Sequence, residues 1–203
     1  MIDLIQAHYF RLEDYLRAGG FVIIPLIFVS LFMWLLIVDR ALFFRRLNRK
    51  NMSTIKAWEH ISRNRVPDQR KYRGAISLLV LEFLNRRSGD RVLDKFILDE
   101  TVLSINRSLS DYLAIIGVLA GIAPLLGLLG TVIGMITTFD VLAIFGTGNT
   151  KAMANGISEA LITTQTGLLV AIPGLYMKGF LDKRARNLKQ RIAGVGFYLR
   201  RQL

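Results

Sequence analysis

Cysteine is absent from the 203 residues, so disulfides play no part in this protein. Histidine occurs only twice, and neither copy falls in an apolar run. No HExxH pattern is present, and Ser158 has no base partner in sequence, which excludes an intramembrane metal or serine protease. Acidic residues are scarce, 15 against 27 lysines and arginines. Breakers are scarce too: Pro67, Gly74 and Gly89 alone punctuate residues 39–111.

Charge of either sign is missing altogether from three long stretches. Phe21–Val38 runs 18 residues without a charge, Tyr112–Phe139 runs 28, and Ala160–Met177 runs 18. A membrane span needs about 20 mainly apolar residues. These runs predict an all-α integral membrane protein with three transmembrane helices and long helices extending into the cytoplasm. The N-terminal Met1-Ile-Asp-Leu-Ile-Gln has no basic region or small-residue cleavage site, so the first run is expected to be a retained span.

The net charge of +12 invites a nucleic-acid reading, but its distribution argues against one. Residues 1–20 hold 2 basic and 3 acidic groups, and residues 140–159 hold 1 and 2. Residues 39–111 hold 16 and 9, and residues 178–203 hold 8 and 1. Basic residues thus concentrate on one side of the three runs, which is the positive-inside pattern and not a nucleic-acid footprint. It places the N-terminus and the 140–159 segment outside, and the 39–111 segment and the C-terminal tail in the cytoplasm.

The expected organisation follows in chain order. Residues 1–20 form an external amphipathic helix, with Ile5, Tyr9, Leu12 and Leu16 on one face. Residues 21–38 form the first span, bulky and lipid-facing, with Pro25 in its first turn. Residues 39–111 form a cytoplasmic segment with helices near 52–64, 72–87 and 91–111. Ile76, Leu79, Val80 and Phe83 make one apolar stripe, and Leu93, Phe96, Ile97 and Leu103 another, each read as core or subunit interface. With no breaker after Arg91, the third of these helices is expected to run straight into the second span, 112–139. An external loop (140–158), the third span (159–177) and a basic cytoplasmic tail (178–203) complete the chain. Arg45-Arg46 and Lys183-Arg184 stand where anionic lipid headgroups are within reach.

The second and third spans carry residues that a lipid-facing surface does not need. Gly117 and Gly121 form one small-xxx-small pair, Gly130 and Gly134 another, and Gly127 lies between; such residues let helix backbones approach closely. Pro124 deletes a helical hydrogen bond, so it kinks or loosens the second span. Thr131 sits mid-span, where its hydroxyl either bonds its own helix or faces a polar lumen. Glu159 opens the third span. A carboxylate there is either a functional group or an interfacial acid held by the helix dipole. Thr163 and Thr166 share its helical face, and Thr164 points about 140° away. Three threonines and Gln165 in four positions suit a hydrated lumen or a polar partner.

The runs Ala-Pro124-Leu-Leu-Gly-Leu-Leu-Gly-Thr131-Val-Ile-Gly-Met and Gly156-Ile-Ser-Glu159-Ala-Leu-Ile-Thr-Thr164-Gln-Thr-Gly-Leu-Leu-Val-Ala-Ile-Pro173 resemble the MotA/TolQ/ExbB proton-channel family, most of all its ExbB-type biopolymer transport subunits. The resemblance implies a pentameric ring in the bacterial inner membrane, N-terminus periplasmic and C-terminus cytoplasmic. It implies an ExbD-like dimer in the central pore, whose membrane aspartate takes up and releases protons, and a TonB-like protein that carries the work to the outer membrane. No cofactor or metal is implied. By motif position Thr131, Glu159 and Thr164 match the family's pore residues, and Pro124 and Pro173 its two span prolines. Flagellar stator members carry four spans against three here. A TolQ-like role in envelope integrity and division, and a non-conducting membrane scaffold, remain as alternatives.

Overall fold

The computed structural model describes residues 19–48, 52–68, 72 and 74–203. The amphipathic helix expected before Gly19 lies outside the described residues. Among those described, every regular element is helical: α1 (Ile23–Asn48), α2 (Thr54–Ser62), α3 (Ala75–Arg86), α4 (Arg91–Ser108), α5 (Leu113–Phe145), a 3-10 turn (Gly146–Gly148) and α6 (Thr150–Gln202). Helices α1, α5 and α6 each hold a stretch long and apolar enough to cross a membrane.

The described residues pack as two units, and α1, α5 and α6 contribute to both. The first unit takes the described residues up to Leu36 together with Ile115–Lys178. Its core joins Val22 and Leu26 of the α1 end to Ala123 of α5 and Ala171 of α6. One side of α1 is buried through Ile23, Leu26 and Met33, and the other exposes Phe28, Leu31, Phe32 and Leu35. Large apolar side chains turned outward in this number suit a lipid solvent and not water. Pro25 falls in the first turn of α1, where its missing N–H would have no helical partner anyway.

The second unit comprises Ile37–Ala114 and Gly179–Leu203. The stripe Ile76, Leu79, Val80 and Phe83 of α3 is buried, as predicted. On α4 the buried face is Asp94, Leu98, Thr101 and Ile105, whereas Leu93, Phe96 and Leu103 are exposed. The reason lies at the start of the helix. Asp94 accepts from the Ser88 N–H (2.9 Å), the Gly89 N–H (3.3 Å) and the Ser88 hydroxyl (3.2 Å), and pairs with Arg87 Nε (3.1 Å). Those turn donors need an acceptor, so the Asp94 face points inward and the apolar stripe beside it points out.

Two expectations are corrected. The helix beginning at Arg91 does not continue into α5: residues 109–112 form a turn, and Tyr112 takes a φ of +62°. Arg40 of α1 donates to the Ser108 carbonyl at 3.3 Å, and its guanidinium carbon lies 4.5 Å from the Tyr112 ring centroid. A group from another helix thus meets the last carbonyl of α4 where an unbroken helix would continue. The segment 140–158, expected as a loop, is mostly helical. Helix α5 extends to Phe145, and the Asn149 side chain accepts from the Ala152 N–H at 3.1 Å, so α6 starts at Thr150.

Candidate functional site

Helices α5 and α6 lie antiparallel in the first unit, seated on small residues. On α5 these are Ala120, Ala123, Gly127, Gly130, Gly134 and Thr138, and on α6 Gly156, Ala160, Thr163, Gly167, Ala171 and Gly174; successive members are three or four residues apart. The fit is close. A β-carbon on Gly134 would come within 2.6 Å of the Gly156 carbonyl oxygen, and one on Gly167 within 2.6 Å of the Ala123 oxygen. A β-carbon on Gly127 would stand 3.1 Å from the Thr164 Cα. Both in-span prolines lie inside continuous helices, Pro124 in α5 and Pro173 in α6.

The threonines sit on or beside this seam. Thr163 is fully buried against Gly130, and its hydroxyl donates to the carbonyls of Glu159 (2.9 Å) and Ala160 (3.0 Å). Thr164 crosses between helices: its hydroxyl lies 3.2 Å from the Gly127 carbonyl of α5 and 3.2 Å from the Ala160 carbonyl of its own helix. Thr131 directly follows Gly130, at the level of Thr163, and donates to its own Leu128 carbonyl at 2.7 Å. Thr166 donates to the Ile162 carbonyl at 2.6 Å. Each hydroxyl hydrogen is engaged, while the oxygens of the partly exposed Thr131 and Thr164 can still accept from a water or a protonated carboxyl.

Glu159 stands apart from this cluster. It is half-buried, and its carboxylate packs on Gly20, in the turn that leads into α1. Gly20 has a φ of +60°, and any side chain on it would collide with Glu159, so glycine is required twice over. Lys178 lies nineteen positions after Glu159, about 28 Å of helix, close to the thickness of a bilayer's hydrocarbon core. Glu159 therefore marks one edge of the apolar stretch and Lys178 the other, with Thr163, Thr164 and Thr166 a turn or two inside.

The structure thus brings Gly127, Gly130, Gly134, Thr163 and Thr164 into one interface. It does not bring the Glu159 carboxylate to that interface. Sequence reasoning missed Gly20 as the neighbour of Glu159, and the α6 half of the seam. The second had a visible signal in the 4-3-4-4-3 spacing of small residues from Gly156 to Gly174; the first had none.

The MotA/TolQ/ExbB proton channel family matches residues 73–193. The biopolymer transport protein ExbB of Aquifex aeolicus (strain VF5) is 40% identical over 83 residues, 41% of this chain and 56% of that protein. The aligned stretch therefore spans little more than half of that relative. The putative biopolymer transport protein ExbB-like 1 of Synechocystis sp. is 31% identical over 194 residues, 92% of this chain and 76% of that protein. An ExbB-like 3 protein of the same organism is 29% identical over 171 residues, 78% of this chain and 79% of its own length. With α1, α5 and α6 each long and apolar enough to cross a membrane, the similarity marks the chain as a membrane protein of a transport family.

Proposed function

Because the chain belongs to the MotA/TolQ/ExbB proton channel family, we propose that it is the ExbB-like subunit of a motor driven by proton-motive force in a bacterial inner membrane. In this reading five copies form a ring around an ExbD-like dimer, and a TonB-like protein passes the work to transport across the outer membrane. The N-terminus is periplasmic and the C-terminus cytoplasmic.

The observation that carries the reading is the composition of the α5–α6 pair. Between Glu159 and Lys178 the third apolar run holds hydroxyls but no carboxylate, histidine or lysine. A proton crossing there needs a titrating group from another chain, and a partner aspartate supplies it. Thr131 and Thr164 then accept from that carboxyl or hold waters beside it, with Thr166 one turn further in. Glu159, at the edge, receives protons from the outer side. The tight small-residue seam gives the partner a stiff wall to turn against.

A specific observation favours a second reading, a non-conducting scaffold: the hydroxyls of Thr131, Thr163, Thr164 and Thr166 all donate to helix carbonyls, as packing threonines do. Native mass spectrometry of the protein co-expressed with an ExbD-like gene from the same genome, followed by energy-dependent uptake in cells, separates the two. The motor reading expects a ring holding substoichiometric partner, and loss of uptake in Thr164→Val or Glu159→Ala with the ring intact. A monomer indifferent to the partner, or full uptake in both variants, overturns it.

A further inference from the structure

The second unit contains a cavity of about 280 Å³ that the site above does not involve. It is lined by Phe44 and Asn48 of α1 and by Arg184, Asn187, Leu188 and Arg191 of α6. The four α6 residues recur at i, i+3, i+4 and i+7, so they share one helix face. Phe44 and Leu188 are buried and form an apolar floor, and the two arginines and two asparagines stand at the exposed rim.

The chemistry of this lining is one-sided. Arginine offers five N–H donors and no acceptor, and each asparagine adds an NH₂ group. No carboxylate lines the cavity, and among the described residues neither Arg184 nor Arg191 pairs with one. Asp39, earlier on α1, pairs with Arg40 at 3.7 Å, and Asp182 lies about 200° around the helix from Arg184. The Arg184 guanidinium lies 4.6 Å from the Phe180 ring centroid, which restricts its rotamers. Two cations over an apolar floor, with no internal counter-charge, concentrate positive potential in a concave site. The planar guanidinium fork fits phosphate oxygens in particular.

Position limits the source of that phosphate. Phe44 lies six residues past Val38, about 9 Å along α1 from the end of its uncharged run. Arg184 lies seven residues past Met177, about 10 Å along α6. A headgroup layer is about 5–8 Å deep on each side of the hydrocarbon core. The mouth therefore opens just beyond the headgroup layer, where the long Arg184 side chain can extend back to a lipid phosphate, and Arg191, a further 10 Å or so along, is open to a soluble anion. We propose that this cavity binds one phosphate group, held between Arg184 and Arg191 with Asn48 and Asn187 as further donors. The proposal is independent of the motor reading.

The test uses the full chain in detergent, stripped of lipid. Arg184→Gln with Arg191→Gln removes both guanidiniums, and Lys183→Gln with Arg186→Gln removes the same charge from α6 outside the cavity. Phosphatidylglycerol is titrated by native mass spectrometry. Inorganic phosphate is compared with chloride at matched ionic strength by thermal melting. Binding of either probe that falls about tenfold in the first double variant and stays unchanged in the second supports the proposal, and the responding probe names the source. Equal loss in both variants, or no response of the wild type to either probe, overturns it. Asn187→Asp guards against misfolding of the first double variant: it keeps both arginines, places a carboxylate in the lining, and is expected to abolish the same response.

Discussion

The Thr164 hydroxyl lies 3.2 Å from the carbonyl of Gly127, bridging two helices across 37 residues of sequence. Glycine at 127 is what makes the reach possible, because a β-carbon there would press on the Thr164 backbone. Thr164→Val keeps the shape and loses the bond, and interhelical bonds of this kind in membranes are worth about 0.6 kcal/mol. The expected outcome is a melting temperature in detergent close to wild type but impaired energy-dependent uptake. Thr164→Ser should keep both. A large drop in melting temperature would mark the hydroxyl as structural instead.

The glycines of α5 are not equivalent. Gly134 faces the backbone of Gly156 and Ala160, whereas a β-carbon on Gly121 meets nothing within 4 Å. Gly134→Ala must push two helices apart, and overpacking of this kind costs about 1–3 kcal/mol. Gly121→Ala should be neutral or stabilising by roughly 0.4–1 kcal/mol, since alanine narrows the unfolded ensemble. Thermal or denaturant melts of the two variants side by side check the contrast.

Asp94 gives the second unit an acid-sensitive anchor. Burial alone would raise its pKa, but the hydrogen bonds from Ser88, Arg87 and Gly89 outweigh it and hold the carboxyl below its ordinary value. A depressed folded pKa means the contribution is fully present above the unfolded value, about 3.9. It is lost as pH falls through the lower folded value. Asp94→Asn should cost about 1–3 kcal/mol at neutral pH, because turn N–H groups lose a charged acceptor. The gap between wild type and variant should narrow as pH drops below about 4. Melts from pH 7 down to pH 3 would show it, and a gap constant with pH would contradict the assignment.

Arg40 and Tyr112 form a coupled pair at the break between α4 and α5. Arg40 is almost fully buried and contacts both the Phe43 and Tyr112 rings. Tyr112 holds a left-handed φ that costs a non-glycine residue on the order of 1–2 kcal/mol. Tyr112→Ala should destabilise, since it loses the ring and keeps the strained backbone. Tyr112→Gly should recover part of that loss. A double-mutant cycle with Arg40→Met should return a coupling of about 0.5–2 kcal/mol. Additive effects would show that the ring contact contributes nothing.

The stripe Ile76-Leu79-Val80-Phe83 was legible, because the choice between its faces is a choice between apolar and polar. On α4 both faces offered apolar residues, and periodicity alone favoured Leu93, Phe96 and Leu103. The turn at Ser88-Gly89 needed an acceptor, and that non-local demand put Asp94 inside. Among the candidate residues, Thr163, Thr164, Gly127, Gly130 and Gly134 stood out by type and spacing. The contact of Glu159 with Gly20 did not, for it joins positions 139 residues apart.

What the sequence determined by itself was the class of protein: three apolar runs, charge gathered on one side of them, and two motif-bearing helices rich in glycine and threonine. These are local properties, set by which side chains a solvent accepts along a few turns of helix. The tertiary structure decided which faces meet: the α5–α6 seam, the break at Tyr112, the neighbour of Glu159 and the arginine-lined cavity between α1 and α6. Those depend on steric fit and on the satisfaction of backbone donors between segments far apart in the chain, and no window of sequence contains both partners.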